Sequence, residues 1–320
     1  MAIPIILFIT GLLLLIKGGD WFVDSAARIA HRFRIPEVLI GATVVSIGTT
    51  LPEVMVSAAS AASGHGEMAY GNAIGSIICN TALIAAITVA VRPSKTDPRS
   101  LRLPVIFFFA AALFYSVTAY AFGYFSRITG LVLLLIFAVY MFLSVKQALG
   151  TPDKKSETDE KNNSNIIKDL IFLVIGAALI AVGADLLVDN GTIIAEALCV
   201  PEAVIALTFI SLGTSLPELV TAVTALSKGH SSLSLGNIIG ANIFNLVLVS
   251  GVAAAVSPFG VPASTELFGI NTSLLIDIPV MLTAMAILTL PALFRGKLSR
   301  AQGVVLLLIY SAFCTLQFMM

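Results

Sequence analysis

Apolar residues run along this chain in long blocks, and polar residues gather in the short gaps between them. Ten blocks predict membrane helices, over about 2–27, 36–62, 68–91, 101–122, 126–147, 165–195, 201–227, 233–257, 268–293 and 299–318. About 20 apolar residues in helical form cross a bilayer. One gap is longer and clearly polar, "TPDKKSETDEKNNSN" at 151–165, and reads as a flexible linker. The pattern predicts an all-α polytopic membrane protein.

Composition supports that reading. The 320 residues are 58% hydrophobic and 11% charged, with mean hydropathy +1.01. A soluble domain is typically about 45–50% apolar and about 25% charged. The first block lacks a basic leader and a small-residue cleavage site, so it is read as a membrane helix rather than a signal peptide. Cys79, Cys199 and Cys314 are scattered and suggest neither a disulfide framework nor a metal knot. The formal net charge of zero carries no information about partners.

The basic residues are more informative. Alternate gaps hold Arg28, Arg32 and Arg34; Arg92, Lys95, Arg99 and Arg102; Lys146, Lys154, Lys155, Lys161 and Lys168; Lys228; and Arg295, Lys297 and Arg300, which is 16 of the 18. Of the other two, Arg127 lies in the opposite set of gaps and Lys17 within the first block. Positive charge favours the cytoplasmic side. The expectation is a multi-pass protein of the cell membrane with both termini outside and the linker in the cytoplasm.

The chain also repeats itself. A shift of 165 positions aligns Gly18–Asn80 with Gly183–Asn245 without a gap, with 24 identities over 63 positions. "SIGTTLPE" at 46–53 falls on "SLGTSLPE" at 211–218, and "GNAIGSIICN" at 71–80 on "GNIIGANIFN" at 236–245. Five helices per copy means that the second copy enters the membrane from the other side. This predicts two inverted five-helix repeats, 1–147 and 165–320, joined by a linker at 148–164. Transporters built this way place their sites near mid-membrane, between the repeats.

The repeated "LPE" motifs put a proline and a carboxylate where apolar residues would do. Inserting a carboxylate at a helix centre costs about 2.5–3.5 kcal/mol. Helical spacing sets Ser46, Thr49 and Thr50 on the face of Glu53. Pro52 cannot donate to the Gly48 carbonyl, and its ring crowds that carbonyl, so a kinked or broken helix with free carbonyls is expected. Ser211, Thr214, Ser215, Pro217 and Glu218 repeat the arrangement. Hydroxyls, carbonyls and carboxylates together suit hard cations.

Other repeated residues read more plainly. Ser76 and Asn80 share a helical face; Asn245 faces similarly, with Ala241 at the position of Ser76. Gly71, Gly75, Gly236 and Gly240 read as close-packing residues. His65 and His230 read as turn residues, and Asp20, Asp24, Asp185 and Asp189 as capping or loop-pairing residues. Glu37 and Glu202 complement helix N-termini.

With these motifs in view, the chain resembles the cation/calcium exchanger superfamily, and most closely its compact archaeal and bacterial sodium/calcium exchangers. "GTTLPE…GNAIGSIICN" and "GTSLPE…GNIIGANIFN" look like the two alpha repeats of that family, and helix count and linker extend the likeness over the whole chain. The resemblance implies alternating-access antiport of calcium against sodium, with those ions as cargo and no cofactor. It implies a ligand cluster of Ser46, Thr49, Thr50, Glu53, Ser76 and Asn80 from the first half. Ser211, Thr214, Ser215, Glu218 and Asn245 come from the second, and the first and sixth helices slide across this core. Asn80 and Asn245 together look like the potassium-independent branch. Ala241 replaces a Ser usual there, which bears on the sodium count. Small cations and the lipid bilayer are the expected partners, without nucleic acid, and a monomer suffices. A calcium/proton or other cation/proton antiporter is the alternative within transport. A cation channel is the alternative of another class. A membrane enzyme is disfavoured, because no nucleophile–base constellation accompanies the glutamates.

Overall fold

The structure, a computed structural model, describes residues 2–150, 166–198, 213–262, 266–267 and 270–319. It is an all-α membrane fold. Among the described residues nine helices are long and apolar enough to cross a membrane. They are α1 (Ala2–Arg32), α2 (Glu37–Ala62), α3 (Gly66–Val91), α4 (Pro98–Phe122), α5 (Arg127–Gly150), α6 (Ile166–Ala197), α8 (Ser231–Val256), α9 (Ser273–Arg295) and α10 (Arg300–Met319). A shorter apolar helix, α7 (Leu216–Ser227), lies between α6 and α8. The first part of the expected seventh span and nearly all of the linker fall outside the described residues. α1 continues to Arg32, past the expected end at 27, because Ala26, Ala27, Ile29 and Ala30 are still buried against the core.

Local chemistry sets the helix ends. Asp97 caps α4, accepting from the backbone N–H groups of Arg99 and Ser100, with Pro98 at the first helical position. Gly64 and Gly229, equivalent in the repeat, take positive φ angles of 82° and 88° in the turns that lead into α3 and α8.

Loop contacts show which helix ends lie together. Lys95 pairs with Lys297, Thr96 N–H donates to Gly296 O at 2.9 Å, and Arg92 reaches Leu226 O at 3.0 Å. His230 meets Glu37. The α1–α2, α3–α4, α7–α8 and α9–α10 connections therefore share one end, here termed the basic end. At the opposite end Tyr124–Phe125 pairs antiparallel with Phe259–Gly260, and Gly66 abuts Phe259. This is the alternation expected of an inverted repeat.

The two halves cross at α1 and α6. A Cβ at Gly11 would meet Gly183 O at 2.8 Å, and one at Gly18 would meet Gly176 O at 2.9 Å. Gly11 and Gly18 are the repeat equivalents of Gly176 and Gly183, so these backbone contacts are exchanged by a pseudo-twofold axis. α2, α3, α7 and α8 form the interior, and α8 is the most deeply buried span. Ile3, Leu13, Leu131, Leu135, Val174 and Leu308 are among the large apolar side chains exposed on the outer helices, as a lipid-facing surface requires.

Of the kink or break expected at Pro52, the break is not found. α2 stays helical through Pro52, and its irregular turn lies earlier, a π-helical turn at Gly41–Val45. A π turn inserts one extra residue and frees backbone carbonyls. The Ser46 hydroxyl lies 2.7 Å from Gly41 O, and the Tyr140 hydroxyl donates to Ala42 O at 2.9 Å. Buried side chains thus absorb the polarity that lipid would not tolerate. In the second copy residues 213–215 form a turn, and α7 begins at Leu216 with Pro217 in its first turn.

Candidate functional site

Glu53 and Glu218 are both fully buried, and among the described residues no basic side chain is paired with either. Among the described residues, both oxygens of Glu53 and Oε2 of Glu218 lack a hydrogen-bond partner. The Thr50 hydroxyl donates to Glu218 Oε1 at 3.4 Å, which brings the two motif helices together across the repeat interface. Thr49 donates to the Asn237 side-chain oxygen at 3.3 Å, and Ser46 lies 3.0 Å from the Asn237 carbonyl.

Asn80 and Asn245, also fully buried, each open a π turn, at Asn80–Ala85 in α3 and Asn245–Val249 in α8. The first turn packs on α7 and the second on α2, so each turn approaches the motif helix of the other half. Among the described residues neither amide has a partner. An unpaired buried polar group costs roughly 1–3 kcal/mol. Two carboxylates, two amides and several hydroxyls buried together form a donor set for hard cations. Ser76 and Ser215 are also buried, and Thr214 donates to the Asn72 oxygen at 3.2 Å. Ser211 lies outside the described residues.

Two members of this cluster escaped the sequence reading. Asn72 donates to Ser57 at 2.8 Å and to the Glu53 carbonyl at 3.3 Å while accepting from Thr214, and so ties the two halves together. Asn237 also links the halves, but as an acceptor: its side-chain oxygen accepts from Ser46 and Thr49. Their exact repetition in the "GN" dipeptides was the available signal.

The glycine expectation holds for one half only. A Cβ at Gly240 would overlap Ser46 Oγ and reach the Ala42 Cα at 2.6 Å, and one at Gly236 would overlap the Val38 carbonyl. Among the described residues a Cβ at Gly71 or Gly75 would meet nothing within 4 Å; both line a cavity of about 360 Å³ that also reaches Asp277 and Cys314.

Access to the cluster differs at the two ends. A cavity of about 190 Å³ runs between α2, α6 and the start of α7, lined by Pro52, Val56, Asp185, Asp189, Thr214 and Pro217. At the basic end the equivalent space is packed. A Cβ at Gly48 would meet Phe22 at 2.9 Å, and one at Gly19 would meet Val220 at 2.8 Å. Lys228 there holds Asp20 at 3.0 Å and Asp24 at 2.8 Å.

The family model for "Sodium/calcium exchanger protein" matches residues 3–146 and 168–319. This chain belongs to the sodium/calcium exchanger family. Among its relatives is the sodium/calcium exchanger MaX1 of Methanosarcina acetivorans, 32% identical over 356 residues that cover 99% of each chain. An uncharacterized membrane protein, MJ0091, of Methanocaldococcus jannaschii is 34% identical over 309 residues, covering 95% of this chain and 94% of that one. Among solved structures, the sodium-calcium exchanger NCX_Mj soaked with Na+ and Sr2+ superposes with a TM-score of 0.81 at 32% identity, over 98% of both chains. As a member of this family the chain is a transporter and not an enzyme. The exchanger fold accounts for the ten helices, the inverted halves and the central polar cluster.

Proposed function

We propose that the chain is an electrogenic sodium/calcium antiporter that works by alternating access and does not need potassium. The observation that carries this reading is the pair Glu53 and Glu218, fully buried across the repeat interface, with three of their four carboxylate oxygens unsatisfied among the described residues. Ser46, Thr49, Thr50, Ser76 and Asn80, with Ser211, Thr214, Ser215 and Asn245, complete the proposed ligand set around these two glutamates. Asn72 and Asn237 orient the hydroxyls.

Charge sets the cycle. Ionised, the two glutamates contribute −2, and Asn80 and Asn245 contribute none. One calcium ion neutralises the site; three sodium ions, the number that the family resemblance suggests, leave it at +1. One net charge then moves per turnover. Two neutral amides where a third carboxylate would attract another cation support independence from potassium.

In this reading 1–147 and 165–320 are the two inverted repeats, joined by the linker 148–164. The basic end is cytoplasmic and both termini are outside. The cavity at Asp185 and Asp189 is then the outward path, with the cytoplasmic path closed. A cysteine at Ser156, in a background lacking the native cysteines, is labelled by an impermeant thiol reagent only from the cytoplasm; labelling from outside in intact cells overturns the orientation.

The deciding experiment is calcium flux in proteoliposomes with sodium, potassium and proton gradients imposed one at a time. Sodium alone drives flux in this reading. Flux driven by protons supports the cation/proton alternative, and saturation-free calcium leak without any counter-ion supports a channel.

A further inference from the structure

At the basic end the α1–α2 turn meets the α7–α8 turn. Glu37, the first residue of α2, faces two imidazoles with a single carboxylate oxygen. His230 Nδ1 lies 2.7 Å from Glu37 Oε1, and His31 Nε2 lies 3.6 Å from the same atom. All three ligand-capable atoms fall within 4.8 Å of one another. Glu37 and His230 are 18% and 25% exposed, whereas His31 is 62% exposed.

Two imidazole nitrogens and one carboxylate oxygen are the donors that zinc, cobalt and nickel ions take. Two donors about 2.1 Å from a tetrahedral ion stand about 3.4 Å apart. The His31–Glu37 separation of 3.6 Å already suits such an ion. The His230–Glu37 contact has to open by about 0.7 Å, replacing a hydrogen bond with two metal bonds. The exposed side of His31 leaves a further coordination position to water. Calcium prefers six to eight oxygen ligands, so this donor set discriminates against the proposed cargo.

The constellation is not a by-product of the repeat. Glu37 and His230 have repeat equivalents in Glu202 and His65, but His31 aligns with Glu196. The second imidazole therefore occurs at one end only. It also draws its ligands from three elements: the end of α1, the start of α2 and the turn between α7 and α8.

We propose that His31, Glu37 and His230 form a binding site for a divalent transition-metal ion of the zinc class, and that the bound ion ties the end of α1 to the core and holds the basic end shut. The binding stands on the geometry alone. The clamping rests on the antiporter reading, in which α1 moves.

The test uses the full chain carrying a histidine-free affinity tag. The three histidines of the sequence are His31, His65 and His230, so His65→Ala is the matched control. Cobalt titration is expected to give one ion per chain, with the visible absorption of four- or five-coordinate cobalt, unaffected by excess calcium. His31→Ala, at an exposed position, and His230→Ala each weaken binding by at least about tenfold, since losing even an outer partner of a ligand costs roughly 10–100-fold. His65→Ala binds as the wild type does. No stoichiometric binding in the wild type overturns the site, as does equal binding in the His31 and His230 variants. Binding that calcium or Glu53→Gln abolishes also overturns it, because the signal then belongs to the central cluster. Zinc applied at the basic end inhibits calcium flux in the wild type but not in His31→Ala; histidine-dependent binding without inhibition overturns the clamp and leaves the site. If no calcium flux is found at all, the antiporter reading fails and the cobalt titration still decides the metal site.

Discussion

At the basic end Asp20 and Asp24 grip Lys228; at the opposite end their repeat equivalents, Asp185 and Asp189, line an open cavity. The position equivalent to Lys228 is Ser63. Both ends carry the same two aspartates on the same helix face, so the difference lies in what meets them. Partial burial works against the Lys228 ammonium, but Asp24 and Asp20 outweigh it and hold its pKa above the ordinary lysine value. The contribution of this pair is therefore fully present below the ordinary lysine pKa and is lost only as pH rises through the raised one. An inverted repeat makes two ends that could be identical, and here Lys228 closes one end on its two aspartates while the other end has no equivalent lysine.

The strongest test asks whether the two halves contribute equally at the centre. Glu53→Gln and Glu218→Gln should each reduce sodium-driven calcium flux by more than about a hundredfold, because a divalent ion loses half its counter-charge where the dielectric is low. Near-normal flux in either variant, with normal expression, would break the symmetric site. Next in size is voltage. One net charge per cycle is worth about 2.3 kcal/mol per 100 mV, roughly a fifty-fold change in the calcium ratio at balance. Flux into vesicles clamped at different potentials reads this directly, and voltage-independent flux means a neutral cycle, in which the missing hydroxyl at Ala241 has lowered the sodium count to two.

Packing separates the copies more gently. Gly240→Ala should destabilise by about 1–3 kcal/mol, as overpacking does, whereas Gly75→Ala should be nearly neutral; thermal unfolding of the two variants in one detergent compares them. The smallest effect is at the ends. Lys228→Ser makes the basic end match the other, and each partly exposed pair contributes about 0.2–1 kcal/mol. The expected outcome is a few-fold rise in thiol labelling of a cysteine at Thr224, which packs on Gly19. Unchanged labelling would remove Lys228 as the source of the asymmetry.

Much of this was legible in the sequence, for physical reasons. Lipid imposes long apolar helices, so the spans stand out. Buried carboxylates are expensive, so Glu53 and Glu218 stand out as well. The backbone was harder to read. Pro52 suggested a break at the motif, but the helix runs through it and places its extra residue at Gly41–Val45, where Ser46 and Tyr140 can bond the freed carbonyls. A π turn depends on partners distant in sequence, and no local signal marks it. Asn72 and Asn237 were visible as repeats, yet their role as cross-links depends on which helices face each other. Gly75 and Gly240 occupy equivalent places in the two motifs, and only the neighbours in three dimensions distinguish a packed glycine from an open one.

The crossing of α1 and α6 carries one more consequence. Gly11 lies on Gly183 and Gly18 on Gly176, backbone against backbone, with no side chain between them to act as a cushion. In the alternating-access reading proposed above, two helices in such contact move as one lever with a single degree of freedom. When that lever leans away from the core at one end it leans in at the other. In that same reading, such a lever suppresses leakage by mechanics rather than by a separate plug. A bulky residue at Gly18 or Gly183 would give each helix its own freedom, and the expected symptom is not a slower exchanger but a leaky one.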